Sequence, residues 1–247
     1  MQWDERMNRL ATAKTDLDMI PAPSCETEIN GQRIVLDPSG AMFLPDCGLL
    51  CVSDLHLEKG AAFARRGQLL PPWDTLATLR ILERVIARHN PRTVISLGDN
   101  FHDRTGSVHM PVEFRLMINA MARGREWIWI NGNHDPDGVT DLAGISADTL
   151  DYAGLHFRHE PQKKPLPGEI SGHLHPSATL WRRLRAVRRP CFAVDGARMI
   201  MPSFGVLTGG LDIDNRAFTG LFEKSRLTAH MLSQGRIHTF AYHVLRG

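Results

Sequence analysis

Three short, largely apolar segments, each followed by polar or turn-forming residues, constrain the fold of this chain most strongly. They cover residues 48–53, 92–97 and 127–130, and an apolar run of this length is typical of a strand buried on both faces of a sheet. Apolar residues between positions 72 and 89 recur at spacings of mostly three, which predicts a helix, and a second helix is predicted over residues 111–122. The order strand–helix–strand–helix–strand predicts parallel strands joined by right-handed crossovers.

The second half of the chain has a different pattern, because short β-like runs dominate after about residue 148. These runs cover residues 152–158, 169–171, 191–195, 199–204 and 236–244, and two more precede the first apolar segment at 32–36 and 41–44. An α/β first half joined to a β-rich second half predicts two facing mixed β-sheets sandwiched by helices, an α/β (α+β, four-layer) fold. Residues 1–24 are polar and unpatterned, so we expect a loose N-terminal arm followed by a single domain over residues 25–247.

Composition argues against a membrane-spanning, secreted or disulfide-stabilised protein. The formal net charge is only +2, which by itself argues neither for nor against nucleic acid. No apolar run approaches the roughly 18 residues needed to cross a bilayer, and the N-terminus lacks a signal-peptide pattern. The four cysteines form no CxxC pair, which is typical of free thiols in a reducing compartment. We therefore expect a cytoplasmic protein without membrane contact.

Metal-ligating residue types cluster where the predicted strands end. Such a cluster follows each of the three apolar segments, and two more lie in the second half of the chain: Ser53-Asp54-Leu55-His56, Gly98-Asp99-Asn100, Asn131-Gly132-Asn133-His134-Asp135, Arg158-His159-Glu160 and Gly172-His173-Leu174-His175. Each cluster alone is compatible with an ordinary turn or hairpin. All five together, at the carboxyl ends of strands, predict a ligand site. Imidazole and oxygen donors without thiolate suit Mn, Fe or Zn.

This ordered set resembles the calcineurin-like metallophosphoesterase superfamily. Longer segments resemble one branch of it, the bacterial ligase-associated DNA-damage-response metallophosphoesterases. These segments are residues 53–72, 97–99 with 101–103, 127–130, 168–176, 202–205 and 208–211. The resemblance implies the metallophosphoesterase fold and a site for two divalent metal ions.

The resemblance also implies a role for each site residue. The first ion would be held by Asp54, His56 and His175, and the second by Asn133, His159 and His173. Asp99 would bridge both ions, and His134 would act as a general acid on the leaving oxygen. Mn is the preferred metal, with Fe or Zn as alternatives. Strand alternation places His156 and His159 on opposite faces, and the Arg-His-Glu-Pro context favours His159 as the ligand.

Two features near His134 leave alternatives open. Asp135 is a candidate for orienting His134, although an exposed turn carboxylate is an equally good interpretation. Many relatives read Gly-Asp-x-x-Asp-Arg, whereas this chain has one extra residue before Asp103 and Arg104. Asp103 would support His134 and Arg104 would bind phosphate only if the insertion preserves their positions. His102 stands where that Asp is expected and is a candidate either for contacting substrate or for supporting another residue of the site.

The best local signal for the substrate is an arginine-rich segment. Residues 163–198 contain eight basic and two acidic residues, a local charge of +6 that would attract phosphates without reading sequence. The candidate contacts are Arg182, Arg183 and Arg185, with Trp181 stacking on an unpaired base and Arg65 and Arg66 extending the basic surface. A solvated arginine-rich hairpin is the alternative interpretation.

The motifs alone leave the substrate open, and the family resemblance implies a Mn-dependent DNA endonuclease or phosphodiesterase in DNA repair. Its expected partners are single-stranded or irregular DNA, with functional association with a DNA ligase and a helicase. A small-molecule phosphodiesterase or phosphomonoesterase is one alternative, and a metal-stabilised binding module without turnover is another. The presence of His134 argues against the binding module, because a scaffold needs no general acid.

Overall fold

The computed structural model describes residues 25–68, 73–164, 166–182 and 185–245. The predicted N-terminal arm and Arg183 lie outside the described residues. Within them, no helix is both long enough and apolar enough to span a membrane.

The first sheet has seven strands that are adjacent in chain order. They are β1 (Cys25–Ile29), β2 (Gln32–Leu36), β3 (Met42–Leu44), β4 (Leu49–Ser53), β5 (Thr93–Leu97), β6 (Glu126–Ile130) and β7 (Ile145–Ala147). Strands β1 to β4 are antiparallel, and β4 to β7 are parallel. The predicted parallel pairing of the three apolar segments is therefore confirmed.

Side-chain alternation along β4 explains why its sequence is apolar at nearly every position. Leu49 and Cys51 belong to a core between the two sheets, whereas Leu50 and Val52 face a second core beneath the helices. A strand covered on both faces has no solvent-facing position that would be filled by a polar residue. The polar residues of the site begin at Asp54, directly after β4 ends at Ser53.

Five short or medium α-helices lie among the described residues. They are α1 (Lys59–Arg65), α2 (Asp74–His89), α3 (Gly106–His109), α4 (Val112–Ala122) and α5 (Tyr242–Leu245). Leu79, Leu82 and Ile86 of α2 pack with Ile118 of α4 in the core beneath the helices. The helices predicted over 72–89 and 111–122 are thus present and cover the first sheet.

The second sheet contains nine strands and mixes parallel and antiparallel pairs. They are β8 (Thr149–Tyr152), β9 (Leu155–Arg158), β10 (Glu169–Ser171), β11 (Pro176–Arg182), β12 (Arg185–Val194), β13 (Arg198–Ile200), β14 (Leu211–Asp212), β15 (Thr228–Ser233) and β16 (Arg236–Ala241). Strand β10 runs parallel to both β9 and β13 at the centre. Strands β11 and β12 form a long antiparallel hairpin.

The second sheet departs from its predicted strands in three places. The run at 152–158 is two strands, because Ala153 and Gly154 adopt left-handed backbone angles (φ 52° and 73°) and turn the chain back. The run at 199–204 forms a strand only over Arg198–Ile200. The run at 236–244 ends as a strand at Ala241 and continues as α5.

The two sheets face each other across a shared apolar core. Leu97 and Ile130 of the first sheet pack in the same cluster as Phe157, Ile170 and Phe192 of the second. The fold is the predicted α/β arrangement of two facing mixed sheets. Helical cover is lighter on the second sheet, where the described residues form only the 3₁₀ turn Arg216–Phe218, α5 and their connecting segments.

Candidate metal centre

The polar clusters predicted from the sequence meet at one edge of the two sheets. Asp54, Asp99 and Asn133 lie directly beyond the carboxyl ends of the parallel strands β4, β5 and β6. His159 follows β9 of the second sheet, and the backbone N–H of Gly172, beyond β10, donates to the carbonyl of His159. Ligands commonly bind at this edge of a parallel sheet.

The first donor group consists of Asp54, His56 and His175, whose ligand atoms lie within 4.8 Å of one another. His175 Nε2 is 3.1 Å from Asp54 Oδ1 and 3.4 Å from His56 Nε2. Burial tends to raise the pKa of Asp54, but the hydrogen bond and charge of His175 lower it further than burial raises it. The carboxylate is therefore ionised and available to a cation.

The second donor group consists of Asp99, His159 and His173. His159 Nε2 is 3.3 Å from Asp99 Oδ1 and 3.2 Å from His173 Nδ1. Burial opposes charge on His159, but the hydrogen bond with Asp99 and the nearby carboxylates outweigh it and raise the pKa of His159 to about 9. In the metal-free protein this cluster thus stabilises a positive charge.

Asp99 joins the two donor groups. Its Oδ1 faces His159, and its Oδ2 lies 3.9 Å from His56 Nε2 of the first group. Burial raises the pKa of Asp99, but the hydrogen bond and charge of His159, with those of its other neighbours, hold that pKa well below its ordinary value. One ionised carboxylate therefore presents an oxygen to each group.

Backbone carbonyls fix the orientation of the imidazole rings. His175 Nδ1 donates to the carbonyl of Gly209 at 3.0 Å, and His159 Nδ1 donates to that of Leu97 at 3.3 Å. Each bond leaves Nε2 directed at the carboxylates, which is the arrangement usual for metal-ligating histidines. The donor set of imidazole nitrogens and carboxylate oxygens fits divalent Mn, Fe or Zn.

Left-handed backbone geometry is concentrated at the site. Non-glycine residues rarely adopt a positive φ, and such strain clusters at functional sites. Five donor residues have one: Asp54 (53°), His56 (44°), Asp99 (44°), His173 (67°) and His175 (44°). The chain therefore accepts an unfavourable backbone in order to direct these side chains inward.

Two glycines allow the segments to approach closely. A Cβ at Gly98, where φ is 73°, would overlap the His159 ring, and a Cβ at Gly172 would overlap Ser53 and the Asp54 carboxylate. These glycines explain the Gly-Asp and Gly-His pairs in the sequence motifs. Both positions require glycine because the neighbouring side chains leave no room for a Cβ. Gly98 requires it also because of its positive φ.

His134 lies at the open side of the cluster, with 44% of its side chain exposed. Its Nδ1 donates to the carbonyl of His102 at 2.9 Å, and its Nε2 is 3.8 Å from Asp99 Oδ2. The ring of His102 stacks on that of His134 with centroids 5.3 Å apart. His134 also falls within 4.8 Å of donor atoms of His56 and Asp99, so proximity alone does not separate an acid from a ligand.

Asp135 has a different position from the one predicted. It is buried, and its Oδ2 accepts hydrogen bonds from the backbone N–H groups of Asn100 and Phe101 while Oδ1 accepts one from Gly132. Burial raises the pKa of Asp135. Its carboxylate joins the segments after β5 and β6, and the His102 carbonyl orients the His134 ring instead.

Asp103 and Arg104 are also directed away from His134. Asp103 forms a 2.7 Å ion pair with Arg65 and accepts hydrogen bonds from Thr105. Arg104 pairs with Asp137 at 2.8 Å, on the exposed surface. Because of the extra residue in the motif, His102 lies beside the cluster in the place where Asp103 and Arg104 were expected. Arg65 is correspondingly engaged by Asp103, and Arg66 is exposed.

The arginine-rich segment forms the end of the β11–β12 hairpin. Strand β11 begins at Pro176, directly after the donor His175, and Arg182 pairs with Arg185 at its far end. Trp181 is 62% exposed, and Arg185 is exposed. The side chain of Arg182 and the whole of Arg183 lie outside the described residues. Arg198, counted in the local charge, is instead buried against Glu169 at 3.3 Å.

The structure also brings Glu160 to the site, a residue of the Arg158-His159-Glu160 cluster to which the sequence analysis gave no role. Its Oε1 accepts a hydrogen bond from Asn133 Nδ2. Asn133 thus lies beside the second donor group, with Glu160, Arg158 and His159 around a cleft of about 270 Å³. The only sequence signal for Glu160 is its position next to His159. His156 lies apart, bonded to Asp151 at 2.6 Å.

Comparison with known proteins gives the class that this fold and site define. The chain belongs to the calcineurin-like phosphoesterase family, whose model matches residues 49–198. Among solved structures, it is similar to the nuclease MPE of Pseudomonas putida, with 25% identity and a TM-score of 0.66 over 88% of this chain and 100% of that one.

A weaker likeness exists to YfcE, a phosphoesterase from E. coli. The two chains are 17% identical with a TM-score of 0.40, over 78% of this chain and 98% of that one. No curated protein matches the sequence significantly.

Proposed function

We propose that this protein is a dinuclear-metal phosphodiesterase that cleaves DNA as an endonuclease. The observation that carries the proposal is the pair of donor groups that share Asp99, with His134 at their open side. Membership of the calcineurin-like phosphoesterase family supports metal-dependent ester hydrolysis. The likeness to the Pseudomonas putida nuclease, over 88% of this chain, favours a nucleic acid substrate.

The two ions would be held by the residues that the sequence motifs predict. Asp54, His56 and His175 would hold the first, and Asn133, His159 and His173 the second, with one oxygen of Asp99 facing each. Two bound divalent ions would lower the pKa of an attacking water and stabilise both the attacking and leaving oxygens. Mn is the metal that we propose, with Fe and Zn compatible with the same donors.

His134 would supply the proton that the leaving oxygen needs. Its Nδ1–H is held by the His102 carbonyl, so Nε2 is the nitrogen that faces the cluster. A protonated Nε2 would donate to the departing alkoxide, as general acids do. The exposure of the ring leaves room for a bulky leaving group such as a DNA strand.

The β11–β12 hairpin would hold the DNA. A seven-residue strand spans roughly 20 Å, so its arginine-rich end lies within a few nucleotides of the donor His175 from which it extends. Arg185 and the neighbouring arginines would bind backbone phosphates, and Trp181 would stack on an unpaired base. The resemblance to ligase-associated enzymes supports a role in DNA repair, together with a DNA ligase and a helicase.

The test is incubation of metal-stripped protein with supercoiled plasmid, with and without Mn²⁺, beside the His134→Ala variant. We expect nicking only by the wild type with metal. Loss of plasmid nicking with retained hydrolysis of bis-p-nitrophenyl phosphate would overturn the DNA substrate and favour a small-molecule phosphodiesterase. One observation in favour of that alternative is the cleft of about 270 Å³ beside the second donor group, whose volume is close to the lower end of the range for small-molecule sites.

A further inference from the structure

Glu160 contacts two of the proposed ligands of the second ion. Its Oε1 accepts a hydrogen bond from Asn133 Nδ2 at 2.5 Å, and the same oxygen lies 3.9 Å from His173 Nε2. Asn133 and His173 come from different sheets, following β6 and β10 respectively. Glu160 is the acidic side chain that lies between them among the described residues.

The hydrogen bond to Glu160 determines which end of the Asn133 amide is free. A carboxylate accepts hydrogen bonds and an amide donates only through its nitrogen, so Nδ2 must face Glu160. The amide oxygen Oδ1 is then left as the metal-ligating atom. Without Glu160, the amide could rotate and present Nδ2, which cannot bind a cation.

The position of Glu160 has a parallel consequence for His173. His159 and His175 are oriented by backbone carbonyls that accept from Nδ1. His173 is reversed, because its Nδ1 faces the donor group and its Nε2 faces Glu160. A carboxylate near Nε2 favours the tautomer protonated there, which leaves the Nδ1 lone pair for a metal.

We infer that Glu160 is a positioning residue that sets the ligand atoms of Asn133 and His173 and thereby the affinity for the second metal ion. The inference rests on the dinuclear centre of the proposed function but not on DNA as its substrate. The described hydrogen bonds and ion pairs of Glu160 reach only Asn133 and His173, two proposed ligands of the second ion, so we expect binding of the first ion to be independent of it.

Calorimetric titration of the metal-free full chain with Mn²⁺ tests this inference directly. The variants are Glu160→Ala, Glu160→Gln and, as a control for charge, Glu28→Ala, which removes an exposed acid on β1. In Glu160→Ala we expect the second ion to bind 10- to 100-fold more weakly, the usual effect of removing a partner of a metal ligand. Binding of the first ion stays unchanged, and Glu28→Ala binds both ions normally.

Glu160→Gln distinguishes positioning from direct ligation, since its amide oxygen still accepts the hydrogen bond from Asn133 and still lies near His173 Nε2. Recovery of most of the affinity supports the inference, whereas an affinity as low as that of Glu160→Ala makes Glu160 a ligand and overturns it. Unchanged affinity in Glu160→Ala also overturns it. The absorption spectrum of bound Co²⁺ gives a second readout, because a displaced ligand changes the coordination geometry.

Failure of the inference is distinguishable from failure of the proposed function. A wild type that binds one ion overturns the dinuclear centre and, with it, the role of Glu160. A wild type that binds two ions but leaves plasmid intact overturns only the DNA substrate. Circular dichroism of Glu160→Ala checks that this exposed substitution preserves the fold.

Discussion

The backbone N–H of His134 donates to Oδ1 of Asp99 at 2.9 Å, while the Nε2 of the same histidine lies 3.8 Å from Oδ2. The carboxylate shared by the two donor groups therefore also fixes the segment that carries the proposed acid. In the proposed function, Asp99 would thus serve both metal binding and proton donation, whereas the His134 side chain would serve only proton donation. Substitutions at the two residues should consequently have different and separable effects.

Asp99→Asn should weaken binding of both ions and abolish turnover. The amide lacks the negative charge of the carboxylate and offers only one oxygen to two cations. Metal content after dialysis against Mn²⁺ and hydrolysis of bis-p-nitrophenyl phosphate measure the two effects. Asp46→Asn, which changes an exposed carboxylate, is the control. Normal activity in Asp99→Asn would exclude a bridging role.

His134→Ala should retain both ions and lose roughly 10²- to 10⁴-fold in kcat, the range usual for a general acid. The imidazole would be replaced by water as the proton donor. Stopped-time assays at saturating substrate, paired with metal analysis, separate the two properties. His238→Ala removes an exposed histidine on β16 and serves as the control. Loss of an ion from His134→Ala would identify His134 as a ligand.

Replacing Arg182, Arg183 and Arg185 by Ala should raise KM for plasmid DNA without changing hydrolysis of bis-p-nitrophenyl phosphate. The log–log slope of DNA binding against salt concentration should flatten by roughly 0.9 for each arginine that neutralises a phosphate in the wild type. A matched variant replaces the exposed Arg123, Arg216 and Arg236. An equal effect of both triple variants would attribute the change to net charge rather than to the hairpin.

His230 makes the stability of the metal-free protein depend on pH. This residue is buried, and burial lowers its pKa from 6.5 to about 4. The unfolded chain gains a proton as the pH falls below 6.5, whereas the native chain does not until about 4. The contribution of His230 to the free energy of unfolding is therefore fully present above pH 6.5. It falls by about 3 kcal/mol as the pH drops to about 4.

Urea unfolding of wild type and His230→Leu at about pH 7.5 and about pH 4.5 measures this contribution. His230→Leu lacks the titrating ring. Its free energy of unfolding relative to that of the wild type should therefore be higher at about pH 4.5 than at about pH 7.5. The metal ligands titrate equally in both proteins and cancel in the comparison. A difference that is constant with pH would contradict the assignment to His230.

The sequence reveals most clearly those features that burial imposes on it. Strands β4, β5 and β6 are visible because both of their faces are covered, and the donor residues follow them directly. The outer part of β12 is invisible to hydrophobic patterning, because Arg185 and Arg189 extend into solvent. Pairing with β11 rather than burial defines that part of the strand.

The residues around His134 illustrate what a single chain cannot reveal. Asp135 has the right type and sequence position to orient His134, yet the buried backbone N–H groups of Asn100 and Phe101 bind it more favourably. Asp103 forms an ion pair with Arg65, which lies on α1, 38 residues away in the chain. The partners of Asp135 and Asp103 are therefore determined by tertiary packing, which the order of residues in one chain does not reveal.

Both donor groups draw on both sheets. Asp54, His56 and Asp99 come from the first sheet, while His159, His173 and His175 come from the second. A ribosome that has not yet passed residue 175 has produced no complete first donor group, and β12 and β13, which precede β10 in the strand order of the second sheet, are still to be made. A chain that ends before residue 175 therefore lacks a complete first donor group, so the candidate metal centre is assembled only after more than two thirds of the chain has been synthesised.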